Sequence, residues 1–284
     1  MAPAVRPETI FFWNTSTRNT SGTVTINGSP FNHNNTNVVT FTAGGNAETI
    51  INGSILASTT AAHVFTKSGT GTLIYAGTAG TYSGATNISA GTLSFSDVGG
   101  FANTSGILIG NATTTSGALT YTGPAATLSK PITINTTTAN AFLNASGTGA
   151  LTVSGAITNS VAGAKTLTLG GSSTGDNTIT SVFTNSGTSA LSLMKIGAGT
   201  FSLSGANVYS GGTTIEEGVL RLGAGAGSTA GSVVGDIVNN ASLSFARSNQ
   251  YAFTGVISGS GSVSQDGTGE TVLSAAQTYL GDTL

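Results

Sequence analysis

The residues able to do acid–base chemistry are few in this sequence and lie far apart. The only adjacent acidic pair is Glu216 and Glu217, and the two histidines, His33 and His63, have no neighbouring carboxylate. Successive residues of a strand point to opposite faces, so Glu216 and Glu217 are not expected to serve one reacting atom. The pair favours a solvated turn. A site built from acids of distant segments stays open.

The other motifs that bind cofactors or metals are absent or incomplete. The chain has no cysteine, which excludes disulfides and cysteine-ligated metals. Residues 223–231, GAGAGSTAG, have a dinucleotide-like glycine spacing but no surrounding βαβ unit. Residues 170–176, GGSSTGD, do not match the calcium-binding nonapeptide G-G-x-G-x-D. We therefore expect no cofactor and no metal, and interpret these glycines as corners.

Charge and hydropathy limit the partners and the location. Of 284 residues only 6% are charged, and the formal net charge is −2 with no basic patch. We therefore expect no nucleic-acid binding and no attraction to anionic membranes. No apolar run is long enough for a membrane-spanning helix. The first residues lack the features of a signal peptide, so we expect any export signal to have been removed or to lie outside this sequence.

Large apolar residues recur in pairs separated by one residue, usually serine or threonine. Such alternation, bounded by glycine and asparagine, is typical of short strands with one buried face. The spacing between successive pairs is near 20 residues, as from Leu73 to Leu93. This spacing favours one solenoid turn per repeat. An array of β-sandwiches is the alternative.

One unit recurs three times, at residues 195–222, 67–95 and 265–284. Each copy begins with a Gly-x-Gly corner, continues into a strand and reaches a tyrosine followed by a second turn. The third copy has Thr271 where Phe201 stands in the second, and the sequence stops before its second strand. The repeat markers are Gly69, Gly71, Leu73, Tyr82, Gly84, Leu93, Gly197, Gly199, Phe201, Leu203, Tyr209, Gly211, Leu220, Leu222, Gly267, Gly269, Leu273 and Tyr279.

These units resemble the autotransporter-associated beta-strand repeat, also called the passenger-associated transport repeat. The family pattern runs K-x-G-x-G-T-L-x-L-x-G-x-N-x-Y-x-G-G-T-x-I-x-x-G-x-L. Residues 195–222, KIGAGTFSLSGANVYSGGTTIEEGVLRL, match nearly all of it. The resemblance implies an all-β, right-handed parallel β-helix in a passenger domain at the bacterial cell surface. It implies architecture and export rather than an activity.

The segment 1–45 differs from the rest of the chain. It holds three of the five prolines and the only tryptophan, Trp13, next to Ile10, Phe11 and Phe12. Because an open solenoid end exposes unpaired backbone, we predict that residues 1–45 form a divergent N-terminal cap or the first coils. Residues 46–284 are predicted to form the solenoid. If the sequence is complete, the open edge after Leu284 predicts head-to-tail pairing with another copy, into an oligomer or filament. The alternative is that the sequence is a fragment of a longer passenger, in which case this edge is artificial.

The recurring tyrosines have two interpretations. In the structural one, the rings of Tyr82, Tyr209 and Tyr279 cover a turn and their hydroxyl groups reach solvent. In the other, they stack on carbohydrate. Thr-x-Thr triplets, such as Thr166 and Thr168, suggest an ice-binding ladder, but in the sequence they do not recur once per turn, and cross-strand pairing explains them.

The sequence thus predicts a non-enzymatic extracellular structural protein: a β-solenoid stalk, adhesin shaft or fibre subunit. The first alternative is a glycan-binding adhesin. The second is a polysaccharide-degrading β-helix enzyme, which requires acids from different turns to converge.

Overall fold

The computed structural model describes most of the chain after residue 45. The described residues are 46, 48–57, 62–160, 162–185, 187, 189–225 and 227–284, together with four strands nearer the N-terminus. For those four strands, and for Ala57, only the backbone is described.

The described residues form short strands and no α-helix. The strands of the first half are β1 Thr9–Trp13, β2 Val24–Ile26, β3 Phe31–His33, β4 Thr40–Gly44, β5 Thr49–Ile51, β6 Ile55–Ala57, β7 Val64–Lys67, β8 Thr72–Tyr75, β9 Thr86–Ile88, β10 Gly91–Phe95, β11 Ile107–Ile109, β12 Gly117–Tyr121, β13 Ala126–Leu128, β14 Ile132–Ile134 and β15 Asn140–Ala145. Those of the second half are β16 Leu151–Val153, β17 Ile157–Asn159, β18 Lys165–Gly170, β19 Asp176–Ile179, β20 Leu191–Lys195, β21 Thr200–Leu203, β22 Thr213–Ile215, β23 Val219–Leu222, β24 Ile237–Asn239, β25 Ser242–Phe245, β26 Tyr251–Phe253, β27 Ile257–Ser258, β28 Ser262–Gln265 and β29 Thr271–Leu273. One 3₁₀ turn, Val98–Phe101, is capped by the Asp97 carboxylate.

The strands stack into three long parallel sheets. Sheet I has seven strands in the order β1-β4-β7-β9-β11-β14-β17, and sheet III has seven in the order β13-β16-β19-β21-β23-β25-β28. Sheet II has eleven, in the order β2-β5-β8-β10-β12-β15-β18-β20-β22-β24-β27. Two short pairs, β3 with β6 and β26 with β29, are parallel as well.

Chain order assigns the short pairs to faces of the same solenoid. The strands β3 and β6 follow a sheet II strand and precede a sheet I strand, which is the position of sheet III. The strand β26 follows β25 of sheet III and precedes β27 of sheet II, which is the position of sheet I. Each turn therefore visits face 1 (sheet I), face 2 (sheet II) and face 3 (sheet III) in order.

The core consists of columns of side chains, with one residue contributed by each turn. In sheet II the in-register column contains Leu73, Leu93, Leu119, Leu143 and Leu169, all of them buried. Removing one such side chain from water stabilises the fold by about 1.5–3 kcal/mol. These columns hold consecutive turns together, because each residue packs mainly on its equivalents above and below.

The predicted all-β parallel solenoid is confirmed, and the β-sandwich alternative is wrong, because every pairing between named strands is parallel. The boundary at residue 45 stays a prediction. The described backbone of that segment already lies in the stack, since β1 pairs with β4 and β2 pairs with β5. The side chains of the aromatic cluster at residues 10–13 lie outside the described residues.

Candidate functional site

The most distinctive chemical group of the repeat is a buried lysine at the end of a strand. Lys195 ends β20, and its Nζ donates hydrogen bonds to the main-chain oxygens of Ile196, Gly197 and Glu217, at 2.8, 2.6 and 3.1 Å. Lys67 ends β7 and does the same in the first copy, donating to Ser68, Gly69 and Ala90 at 2.7, 2.8 and 3.3 Å. Both ammonium groups therefore close a corner and bind it to the next turn.

Burial shifts the pKa of both lysines in the same direction. Removal of the ammonium group from water lowers the pKa of Lys67 to about 8. Burial also lowers the pKa of Lys195 to about 8, against the Glu217 carboxylate, which acts to raise it. The oxygens that accept hydrogen bonds from the two ammonium groups are all main-chain carbonyls. The arrangement supports a structural role for the amines.

The Gly-x-Gly corner beside Lys195 consists of glycines because another main chain passes very close. A Cβ built on Gly199 would lie 1.9 Å from the Ser173 oxygen, and one on Gly197 would lie 2.4 Å from the Gly171 oxygen. The next turn approaches the corner equally closely. Gly218, at φ +65°, packs on the corner oxygens of the second copy, and Gly91, at φ +67°, packs on those of the first. These markers pack main chain on main chain.

The third copy keeps the corner but changes its closing group. Gln265 ends β28, and its Nε2 donates to the oxygens of Gly267 and Gly269, at 3.2 and 2.9 Å. A neutral amide thus replaces the ammonium group and makes two of the bonds. The Gly-x-Gly of this copy is visible in the sequence, whereas the role of Gln265, two residues before it, is not.

The recurring tyrosine is an internal clamp, so its predicted solvent-facing hydroxyl is wrong. Tyr209 is fully buried, and its hydroxyl lies 2.6 Å from Thr213 Oγ1. Tyr82 lies 2.7 Å from Thr86 Oγ1 in the same way. Burial raises the pKa of both phenols. Because both rings are inside, they do not form a carbohydrate-stacking surface. The sequence signal was a threonine four residues after each tyrosine.

The third tyrosine repeats this contact in a less covered setting. The Tyr279 hydroxyl lies 2.6 Å from Thr283 Oγ1, but the ring is only half-buried because it belongs to the last described turn. The other markers of that turn, Leu273 among them, are likewise only partly covered. By contrast, the apolar markers of the first two copies are buried: Leu73, Leu93, Phe201, Leu203, Leu220 and Leu222.

A buried amide two residues before the tyrosine joins neighbouring turns. Asn207 accepts from the Phe183 amide at 2.8 Å and donates to Gly205 and Ser232 oxygens at 3.0 and 2.9 Å. Gln277 takes the same place in the third copy, accepting from the Ile257 amide at 2.6 Å. The family pattern contains this asparagine, but its role was not predicted.

The three copies lie on different faces of the solenoid. The first corner joins β7 of sheet I to β8 of sheet II, and the second joins β20 of sheet II to β21 of sheet III. The third joins β28 of sheet III to β29 on face 1. The repeat therefore specifies a corner and the turn that follows it, and it can occupy any of the three corners.

The carboxylates are engaged in separate bonds. Glu217 accepts from the Gly197 amide at 2.9 Å, while its neighbour Glu216 accepts from Asn240 at 3.1 Å. Asp176 pairs with Arg221 at 2.8 Å, and Asp236 accepts from the Val256 amide at 2.8 Å. Over the described ranges, no three histidine or acidic side chains lie close enough to hold a metal ion.

Two further predicted features are placed by the structure. His63 is buried beside Gly84, whose backbone packs on the His63 oxygen. The described part of the glycine-rich segment, residues 223–225 and 227–231, lies in the loop between β23 and β24. Arg247 holds this loop by donating to the Thr229 and Gly231 oxygens, at 2.7 and 3.1 Å. This guanidinium also lies 4.5 Å from the centre of the Tyr251 ring. The loop is thus fixed by protein contacts.

Comparison with known families agrees with this geometry. The passenger-associated-transport-repeat family model matches residues 65–95 and 193–222, which are the first two corners with their turns. The chain therefore carries this repeat, and the repeat implies a cell-surface or extracellular location. No curated protein and no solved structure matches the chain. Within the part of the chain that the structure describes, no helix is long and apolar enough to cross a membrane.

Proposed function

We propose that this chain is a non-enzymatic structural segment of a bacterial surface passenger that forms a stiff shaft. One observation carries the proposal: the polar groups of the repeat bind main-chain groups of neighbouring turns. Lys67, Lys195, Asn207 and Gln277 all do so. These groups stiffen a stack of turns and do not face a substrate.

The surface supports the same function. Glu216, Glu217 and Asp236 are bound individually to amide groups and Asp176 to Arg221, and the formal net charge of the whole chain is only −2. Eleven strands of sheet II at about 4.8 Å each give a rod on the order of 50 Å long. Such a rod places whatever it carries at a fixed distance from the cell.

Binding and hydrolysis assays on the purified protein test this proposal. We expect no release of reducing ends from polysaccharides and no saturable signal on a glycan array. A glycan signal that a single surface substitution abolishes would favour an adhesin. Hydrolysis that Glu217→Gln abolishes, with folding unchanged by circular dichroism, would favour an enzyme.

We further propose that copies associate head to tail. The last described turn exposes Leu280 and Leu284 by 86% and 76%. Strand β29 lies at the edge of face 1, and residues 282–284, which bridge to Val263 of β28, form the edge of face 3. We expect the first turn of a second copy to cover this end of the solenoid, because its strands β1, β2 and β3 lie on faces 1, 2 and 3 in the same order. Edge strands pair readily with further strands, and a heterologous contact of this kind does not close.

Light scattering coupled to size-exclusion chromatography tests this association. We expect the mean mass to rise with concentration, and to fall to that of the monomer in the variant Leu280→Asp, Leu284→Asp. The matched control is Val238→Asp, at an exposed position on face 2, which should assemble normally. A protein that is monomeric at every concentration, or a double variant that assembles normally, would contradict the proposal.

A further inference from the structure

Face 1 carries a regular array of outward side chains that no part of the repeat explains. From β14 onward, each turn presents an outward–inward–outward triplet on this face. The inward residue is a core side chain, such as Ile132, Ile157, Phe183 or Phe253. The two outward residues form two parallel columns, which we call the ladder face.

The register of the ladder face follows from the pairing of consecutive turns. Ile132 pairs with Ile157 and Ala206 bridges to Ser232. Val208 donates to the Phe183 oxygen, and Ala252 pairs with Val272. The first column is Pro131, Ala156, Val182, Ala206, Ser232, Ala252 and Val272; the second is Thr133, Thr158, Thr184, Val208, Val234, Thr254 and Ser274.

The second column is the more informative of the two. Six consecutive turns place a β-branched residue there, from Thr133 to Thr254, and the hydroxyl groups of Thr133 and Thr158 lie 3.4 Å apart. Val208 and Val234 are 52% and 42% exposed and lie in consecutive turns, so they form a contiguous apolar patch. With Val182 and Val272, they make four of the seven large apolar residues that are exposed among the described side chains.

The outward columns of the other two faces are interrupted. That of sheet II contains the large side chains of Phe142 and Met194. That of sheet III begins with Thr127, Thr152, Thr178 and Ser202 but continues with Arg221, which reaches across to Asp176. None of the fourteen ladder positions is charged or aromatic. The partner of this face is therefore uncharged, and sugar rings, which proteins usually hold against aromatic side chains, are not favoured.

The size of the ladder face argues against a second copy as its occupant. Seven turns at about 4.8 Å, and a width of about 10 Å for three residues, give on the order of 300 Å² per copy. Two copies would bury about 600 Å², which is below the roughly 1,200 Å² of a stable protein interface. The outward side chains of the face are instead regularly spaced: consecutive turns are about 4.8 Å apart and the two columns are about 6.6 Å apart.

We infer that the ladder face binds the surface of ice. Its methyl groups restrict the orientation of neighbouring water, and its threonine hydroxyls hydrogen-bond to water. Because the side chains are regularly spaced, these two effects order the bound water into a periodic layer, and this layer can join the lattice of ice. The Thr-x-Thr triplets of the sequence did not predict this face, because its columns run across turns and alternate threonine with valine.

Slow growth of ice in a dilute solution of the fluorescently labelled protein tests the inference. We expect the wild type to be enriched several-fold in the ice over an inert labelled dextran. The variant Val208→Lys, Val234→Lys should fall to the level of the dextran, because two long charged side chains disrupt the layer. The control Thr152→Lys, Thr178→Lys on face 3 should remain enriched.

Circular dichroism verifies that both variants are folded, which is expected for substitutions at outward positions. Exclusion of the wild type from ice, or equal enrichment of both lysine variants, would overturn the inference. Dimerisation that only the Val208→Lys, Val234→Lys variant loses would also overturn the inference, since the face would then bind a second copy. The same holds for sedimentation with crystalline chitin or cellulose that only this variant loses, since the face would then bind a polysaccharide.

Discussion

The ammonium group of Lys195 lies 3.1 Å from the main-chain oxygen of Glu217, one turn further along the solenoid. Lys67 makes the equivalent contact to Ala90, at 3.3 Å. One side chain thus ties a corner to the turn that follows it. This contact explains why the repeat begins with a lysine.

The closing bonds of the lysine predict how its replacements behave. Lys195→Ala leaves the oxygens of Ile196, Gly197 and Glu217 without this donor, and we expect a loss of about 1–3 kcal/mol in the free energy of unfolding. Lys195→Gln should lose less, because Gln265 closes the third corner with an amide. Urea denaturation measures both values. Equal losses would show that the hydrogen bonds do not matter at this corner.

The close approach of turns predicts a sharp difference between two glycines. Gly199→Ala places a Cβ 1.9 Å from the Ser173 oxygen, so the backbone must move, and we expect it to be among the most destabilising substitutions. The control is Gly175→Ala, where the nearest atom is 3.5 Å away, an ordinary contact. Thermal melts compare the two variants. A fully stable Gly199→Ala protein would refute the main-chain packing at this corner.

The buried Tyr–Thr pair predicts a cost for one missing oxygen atom. Tyr209→Phe leaves the Thr213 hydroxyl buried without its partner, and we expect a loss of about 1–2 kcal/mol. Tyr279→Phe removes the same bond in the half-covered last turn, where water replaces it, and should cost less. Urea denaturation of the two variants measures the difference. A larger loss for Tyr279→Phe would contradict the assignment of Tyr209 as the internal clamp.

Stability should depend on pH in two opposite ways. The folded-state pKa of Lys67 and Lys195 is about 8, below the ordinary value, so the unfolded chain binds more protons between pH 8 and about 10.4. The free energy of unfolding therefore rises with pH in that window. Above pH 10 the unfolded tyrosines ionise while Tyr82 and Tyr209 stay neutral, so stability falls.

Urea midpoints measured from pH 7.5 to 11.5 test this profile. We expect a maximum near pH 10 for the wild type. The variant Lys67→Met, Lys195→Met should keep the fall and lose much, but not all, of the rising part, because Lys165, whose pKa burial also lowers, remains. Lys130→Met, a control at a partly exposed lysine, should keep both. A wild-type midpoint that falls steadily from pH 8 would contradict the burial of the two ammonium groups.

The alternation of apolar residues and the glycine corners predicted short strands and favoured a solenoid, because one buried face recurred about every 20 residues. The parallel arrangement was implied by the resemblance of residues 67–95 and 195–222 to the repeat family. Which face each copy occupies was not predictable. The repeat specifies a corner, whereas the lengths of the intervening segments, such as the loop between β23 and β24, set the phase around the axis. The inward orientation of the tyrosines was not predicted, because a tyrosine hydroxyl is commonly expected to reach solvent. The hydrogen-bond partners Thr86 and Thr213 lie four residues after each tyrosine in the sequence.

Surface exposure of the shaft is the central claim, and antibody labelling of cells that express the complete passenger tests it most directly. An antibody against the folded chain should label intact cells as strongly as permeabilised ones, and protease added outside should remove the signal. Labelling that appears only after permeabilisation would contradict the account.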